Sequence, residues 1–534
     1  MSKFSCWSAY VLSVLVYTVA VAYARPEEHI RQVVTESGKF ESHRISSLPG
    51  APEVGFEQYS GYVTIDEKAE RALFYWFFEA DVKDPQSAPL TLWLNGGPGC
   101  SSVGGGALSE LGPFYPSKDG KSLIKNPYSW NQVSNVLFLE SPAGVGFSYS
   151  NTSSDYRTGD AKTAADSVEF ILKFLELYPV YAKSPFYISG ESYAGHYVPQ
   201  LAAALLEKNK ELGESAVNFK GIAVGNAWTD SSIDNYGAIF FWWSHALISD
   251  KTYKGIIETC NFNVGGLSQN QQLSQVDCTA YVDAAGYLMV LFSIFIPMQL
   301  ESDTLLFHQC NFSAVGPFKS NLQSELRCYD YVYTADRELG NINIYEIYVD
   351  VCLSASAAAE TKHFAKQLNR HGVGAIGARP LTATDSYDPC VDNEVEEYLN
   401  QPDVQKALHV DIPGIPYRWI VCSDIVRYSY SDLLSSVIPV YDILLKSGIQ
   451  ILIFSGDTDA IVPVTGTRAW INTLNLNITR DWRPYYVNSQ VGGYVTEYDG
   501  LTLATVRGAG HMVPYTQPVR ALHLFKSFID NTPL

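Results

Sequence analysis

Apolar and polar positions along this chain predict a protein of alternating strands and helices with one irregular interruption. Four short apolar runs read as buried strands, each ending in a polar, glycine-bearing stretch. They are Leu90–Asn95, Ser184–Gly190, Ile449–Ser455 and Leu501–Val506. Val198–Lys208 carries the spacing of an amphipathic helix, and Thr516–Asp530 reads as a closing helix. Strand and helix patterns alternate from about Tyr59 to Thr229 and resume near Asn400. The stretch between is irregular and rich in cysteine. This order predicts an α/β protein, a mixed and mostly parallel sheet with helices on both faces. Residues 230–399 are then expected as an inserted cap over the carboxyl ends of the strands, where a site belongs in such a sheet.

The polar stretches after these strands carry the candidate chemistry. Gly190-Glu-Ser-Tyr-Ala-Gly195 lies between a strand and a helix. A sharp turn there presents the Ser192 hydroxyl at the top of the sheet, beside the first amides of the helix. A serine nucleophile needs a base, and the base needs an orienting carboxylate. Gly456-Asp-Thr-Asp459 follows the third strand, and Asp457 is taken as that carboxylate. Arg507-Gly-Ala-Gly-His511 follows the fourth and supplies His511 as the base. Ser, Asp and His thus occur in the chain order of α/β-hydrolases. Asn95-Gly-Gly-Pro-Gly99 follows the first strand, and its glycines let backbone amides approach a ligand. An oxyanion hole built from the amides of Gly97 and Tyr193 completes the set.

Together with Glu140-Ser-Pro-Ala-Gly-Val-Gly-Phe-Ser148, these motifs resemble the serine carboxypeptidase family, and its plant members most. The resemblance runs from about Leu48 to the C-terminus, with one interruption in the cap. It implies an α/β-hydrolase fold and acyl transfer from a peptide to water. No cofactor or metal is implied, and no zinc-ligand spacing such as HExxH occurs. The resemblance also implies a reader for the substrate's terminal carboxylate: Asn95, the Gly96 amide and Glu191, with Glu110 paired to Glu191. A carboxyl donates a hydrogen bond only while protonated, and two carboxyls sharing a site raise one pKa. Activity at acid pH is therefore expected. Relatives that are acyltransferases using sugar-ester donors carry Asp where Glu191 stands, so Glu191 favours a peptidase. A catalytically inactive binding or chaperone-like relative is the reading from another class; the complete triad argues against it.

Composition adds a compartment. Lys3, the apolar run Ala9–Val21 and Ala22-Tyr-Ala24 form a signal peptide ending at residue 24. Residues 25–47 read as a pro-segment or flexible arm, 48–229 and 400–534 as the two parts of the core. Sequons at Asn151, Asn311 and Asn477 fit the secretory route, vacuolar or extracellular. The formal net charge of −19, without any Lys/Arg run, argues against a nucleic-acid partner. No membrane association is expected after cleavage. Peptide or protein C-termini are the expected partners, and a second copy of the chain is kept as a candidate.

Nine cysteines become eight once Cys6 leaves with the signal peptide, an even number in an oxidising compartment. Spacing alone leaves their connectivity open. The family resemblance implies Cys100–Cys422, Cys260–Cys278 and Cys352–Cys390. Residues 260–285 and 310–335 look like two copies of one segment: Cys260-Asn-Phe matches Cys310-Asn-Phe, and Cys278 matches Cys328. Cys310–Cys328 is accordingly expected as the second copy's bridge. Between the copies, Tyr287–Met298 is apolar but too short to span a membrane as a helix.

Overall fold

The computed structural model describes residues 40–213, 216–260, 262, 319–353, 387–410 and 417–534. The signal peptide, Cys278, Cys310, Asn311 and the apolar run 287–298 lie outside the described residues. Among the described residues no helix is long and apolar enough to cross a membrane.

One sheet of eleven strands organises the chain. Its strands are β1 (Gln58–Asp66), β2 (Arg71–Phe78), β3 (Leu90–Leu94), β4 (Asn135–Leu139), β5 (Tyr149–Ser150), β6 (Phe186–Glu191), β7 (Phe219–Gly225), β8 (Gln450–Gly456), β9 (Ile478–Val487), β10 (Gln490–Tyr498) and β11 (Leu501–Val506). The order across the sheet is β1-β2-β4-β3-β6-β7-β8-β11-β10-β9, with β5 beside β2. The middle six, β4 to β11, pair in parallel, and antiparallel hairpins close both edges. Parallel strands need crossovers that cover both faces, so these strands are apolar on both sides. β2 shows the consequence at the edge of that block. Phe74, Trp76 and Phe78 pack into one core cluster, while Leu73, Tyr75 and Phe77 pack into the other. This is the α/β-hydrolase arrangement that the sequence order predicts.

Helix α1 (Asp160–Leu177) and helix α2 (Ala194–Leu212) cover one face of the sheet. The pattern predicts a helix from Val198, yet α2 begins directly after the Ser192 turn and holds Pro199 in its second turn. A proline there loses one ladder bond, which the buried face of Ala194, Val198, Leu201, Ala202 and Leu205 offsets. The expected arm 25–47 is not separable at its end. His43 is buried with Nδ1 2.7 Å from Tyr75 Oη, the Ile45 amide donates to Gln58 O at 2.9 Å, and Ile45 and Leu48 join the core.

The described part of the segment expected as a cap contains α3 (Ser231–Ser244), α4 (Asp250–Thr259) and α5 (Lys319–Leu339). Ile239, Phe241, Trp242, Ile256, Val332 and Ala335 form its own apolar cluster, which also takes in Ala460 from the loop after β8. Trp242 Nε1 donates to Ala460 O at 2.8 Å, so the cap docks on that loop.

Disulfides Cys100–Cys422 and Cys352–Cys390 are formed. The other two expected bridges are corrected: Cys260 pairs with Cys328. That excludes both Cys260–Cys278 and Cys310–Cys328. The reason is helix packing. α5 lies along α4, with Tyr331 against Gly255 and Cys328 brought to the end of α4. The bridge therefore joins the first cysteine of one copy to the second cysteine of the other. A testable consequence follows for the extra residues. Deleting Asn261–Cys310 leaves Cys260 and Cys328 at the spacing found within each copy, and keeps Val332 and Ala335. Secretion and the bridge are expected to survive, as read by yield and non-reduced peptide mapping. Deleting Gly286–Ala335 removes Cys328, Val332 and Ala335 but brings their counterparts Cys278, Val282 and Ala285 to the same distance from Asp336, so secretion is expected to survive there too, with a Cys260–Cys278 bridge. Loss of secretion in the first deletion alone would show that the wrong copy has been assigned to the docked position.

Candidate active site

Three of the parallel strands deliver the candidate residues at their carboxyl ends. β6 ends at Glu191, and Ser192 follows with φ +64°, a left-handed backbone that a side chain adopts at a cost. α2 starts two residues later, so Ser192 sits on a strand-to-helix turn. β8 leads into the loop Asp457–Asp459, and β11 leads into the loop Arg507–His511. β7 separates β6 from β8, and β11 adjoins β8.

His511 is buried, and its Nδ1 lies 2.8 Å from Asp459 Oδ2. This corrects the expected partner, Asp457. Asp457 instead accepts the Gly508 amide at 2.6 Å and braces the start of the histidine loop. Two residues further on, Asp459 meets the imidazole. There the Asp459 carboxylate is fully buried and surrounded by donors. Asn226 Nδ2 reaches Oδ2 at 2.6 Å, the Ile461 amide reaches Oδ1 at 2.8 Å, and the Val462 amide reaches Oδ2 at 3.3 Å. Together these donors fix the orientation of the carboxylate. Asn226 was missed by sequence reasoning. It directly follows β7, at the carboxyl end of the strand between nucleophile and acid, and that position is the only signal for it.

The Gly-rich loop after β3 rests on the nucleophile turn. A Cβ on Gly96 would lie 2.3 Å from Tyr193 N and 2.9 Å from Ser192 Cβ, so only glycine permits this approach. Tyr193 itself is pinned by its hydroxyl, which donates to Asp160 Oδ1 at 3.0 Å. The loop is braced from behind by Glu140, the first residue of the Glu140–Ser148 motif. Its carboxyl accepts from Ser101 Oγ, from the Phe147 amide at 2.5 Å and from Trp419 Nε1 at 3.1 Å. Burial pushes the Glu140 carboxyl up to about 7 against those bonds.

Beside Ser192 the structure brings together Asn95, Glu110 and Glu191. Asn95 Nδ2 donates to Glu110 Oε1 at 2.7 Å and to Glu191 Oε1 at 3.3 Å. Its amide orientation is fixed, because Oδ1 accepts from Trp93 Nε1 at 2.7 Å and from the Gly106 amide at 2.9 Å. Glu110 ends a π-helix at Val103–Glu110 and is fully buried, not a surface charge. Burial raises both carboxyls. Glu191 rises furthest, because Glu110 adds a like charge and accepts a hydrogen bond from its protonated form. With both ionised, Glu110 Oε2 would be buried without a donor, so a shared proton is the stable arrangement. Of the candidate glycosylation sites, Asn151 and Asn477 are exposed.

The chain can now be set against known proteins. The family model described as serine carboxypeptidase matches residues 49–531. Serine carboxypeptidase 24 of Arabidopsis thaliana is 42% identical over 501 residues, covering 94% of each chain. Serine carboxypeptidase-like 25 of the same plant is 43% identical over 506 residues, 94% of this chain and 95% of that one. Among solved structures, the prohormone-processing carboxypeptidase KEX1(delta)p of Saccharomyces cerevisiae superposes with a TM-score of 0.66. It covers 92% of this chain and 96% of its own at 22% identity, a likeness of fold. With most of its length matched, this chain belongs to the serine carboxypeptidase family.

Proposed function

We infer that the protein is a serine carboxypeptidase that releases C-terminal residues from peptides in an acidic part of the secretory pathway. Ser192 Oγ attacks the last peptide carbonyl. His511 takes the hydroxyl proton and passes it to the departing amine, so the peptide bond breaks as the acyl–serine bond forms. Asp459 holds the imidazole by Nδ1 and stabilises its charged form. The amides of Gly97 and Tyr193 receive the oxyanion. Water then repeats the sequence on the acyl-enzyme and frees Ser192.

The observation that carries the peptidase reading is the buried Asn95–Glu110–Glu191 cluster next to the nucleophile. Simple ester hydrolysis has no use for it. A substrate carboxylate does: it accepts from Asn95, from the Gly96 amide and from the proton kept by the glutamate pair. Three disulfides among the described residues support an oxidising compartment.

The pair's raised pKa sets the sign of the test. Affinity for a free carboxylate is present below that pKa and lost above it. KM for an N-blocked dipeptide is expected to rise with pH, by about tenfold per unit once the pair has ionised. The C-terminal amide of the same dipeptide needs no such proton and should keep a flat KM. Glu191→Gln donates at any pH, so it should flatten the rise for the free acid. Both substrates use the same base, so the difference between their profiles isolates the carboxylate reader. Identical KM profiles for acid and amide would rule out a protonated carboxyl as the reader of the terminus.

A further inference from the structure

A short strap of the cap, Ile344–Ile347, lies between α5 and Cys352 and touches both loops that carry the acid and the base. To the acid loop it gives Ile344 O, which accepts the Ala460 amide at 2.9 Å, and the Ile347 amide, which donates to Thr458 O at 3.2 Å. To the histidine loop it gives Tyr345 O, which accepts the His511 amide at 2.7 Å. The two loops also meet directly, Thr458 N donating to Ala509 O at 2.9 Å. Thr458 stands between Asp457 and Asp459, and the strap is its only non-loop neighbour among these bonds.

Glu346 is the side chain at the centre of this junction. It is 4% exposed, and Thr458 Oγ1 donates to its Oε2 at 2.5 Å. The Tyr348 amide reaches Oε1 at 3.4 Å. Its carboxyl also fills the space beside Gly510. A Cβ there would lie 2.9 Å from Glu346 Oε2 and 2.3 Å from Tyr345 O. A buried carboxyl wedged between the acid loop and the residue before His511 is more than the packing of a cap requires.

We propose that Glu346 is a positioning residue for the acid–base pair: through Thr458 it locks the Asp459 loop against the His511 loop. This rests on the roles assigned to Asp459 and His511 above. Asp457 and Asp459 face Glu346 from the acid loop, Tyr387 faces it from later in the cap segment, and Tyr345 of the strap packs edge-on against His511. Burial, with the two aspartates, pushes the Glu346 carboxyl up to about 7. Across the acid range it is neutral, so a glutamine is a close replacement there.

The experiment measures kcat and KM at mildly acid pH per active site, with sites counted by end-point fluorophosphonate titration. Glu346→Ala is expected to lower kcat about tenfold to a hundredfold with KM within about twofold, the effect of a misplaced reacting group. Glu346→Gln should restore kcat to within about threefold. Thr458→Val should reproduce the Ala loss, and adding it to Glu346→Ala should cost little more, because the two act through one bond. Thr458→Val and Glu346→Gln keep the test decisive should the Ala variant not be secreted. Unchanged kcat per titrated site in Glu346→Ala or Thr458→Val would overturn the proposal. So would a Gln variant as slow as the Ala variant. Failure of the underlying catalytic assignment has a different signature: turnover would then survive in His511→Ala or Asp459→Asn.

Discussion

Ser192→Ala is expected to lower kcat for a blocked dipeptide by about a millionfold while secretion and thermal stability stay unchanged. The magnitude comes from other serine hydrolases, in which nucleophile and base act as one unit. The elbow supports the expectation of an intact fold. Ser192 has no large apolar side chain to lose, and its strained backbone is held by neighbours. Its amide donates to Gly225 O at 3.1 Å, and its carbonyl accepts from Trp228 N at 2.9 Å and Gly195 N at 2.8 Å. None of these bonds uses the hydroxyl. Labelling by a fluorophosphonate should disappear with the same substitution. An Ala variant that labels like the parent would mean that another residue is the nucleophile.

The second large effect separates two aspartates only two positions apart. Asp459→Asn is expected to cost about 10⁴ in kcat, since an amide cannot hold the imidazole in the required tautomer or balance its charge. Three donors aimed at the carboxylate, from Asn226, Ile461 and Val462, would also meet a partly wrong partner. Asp457→Asn should leave kcat within about threefold, because its carboxyl holds the Gly508 amide and does not touch the imidazole. It should lower the thermal midpoint modestly by weakening that loop. Comparable kcat losses in both variants would sink the assignment of Asp459.

The strand-to-helix turn of Ser192 was legible because three local signals agree: an apolar strand, a small-residue turn and an amphipathic helix. His511 was legible for similar reasons, a strand followed by a glycine-rich loop. The acid was not. Asp457 and Asp459 share one loop and one motif, and only the path of the chain after β8 decides between them. That path is set by Asn226 just after a different strand, by the Trp242 contact from the cap and by the Glu346 strap, all distant in sequence. The carboxylate cluster was legible only through family resemblance, because Asn95, Glu110 and Glu191 converge across a sheet. The cap bridges were misread because two segments with identical cysteine spacing offer no local reason to prefer one partner. Packing of α5 on α4 supplies that reason, and it is invisible to spacing.

The Cys260–Cys328 bridge has a further consequence for the covalent connectivity of the chain. Together with Cys100–Cys422 it means that the polypeptide before residue 260 and the polypeptide after residue 328 are joined twice, independently of the peptide path between them. A protease that nicks that path once, or even excises the stretch between two nicks, does not divide the enzyme. The fragments carrying Ser192 and His511 stay linked through sulfur, and α5 stays fastened to α4. The break becomes visible as two chains only after reduction. The residues between Cys260 and Cys328 are thus a detour whose ends are joined by sulfur, and the strands on either side stay linked whether or not the detour remains whole.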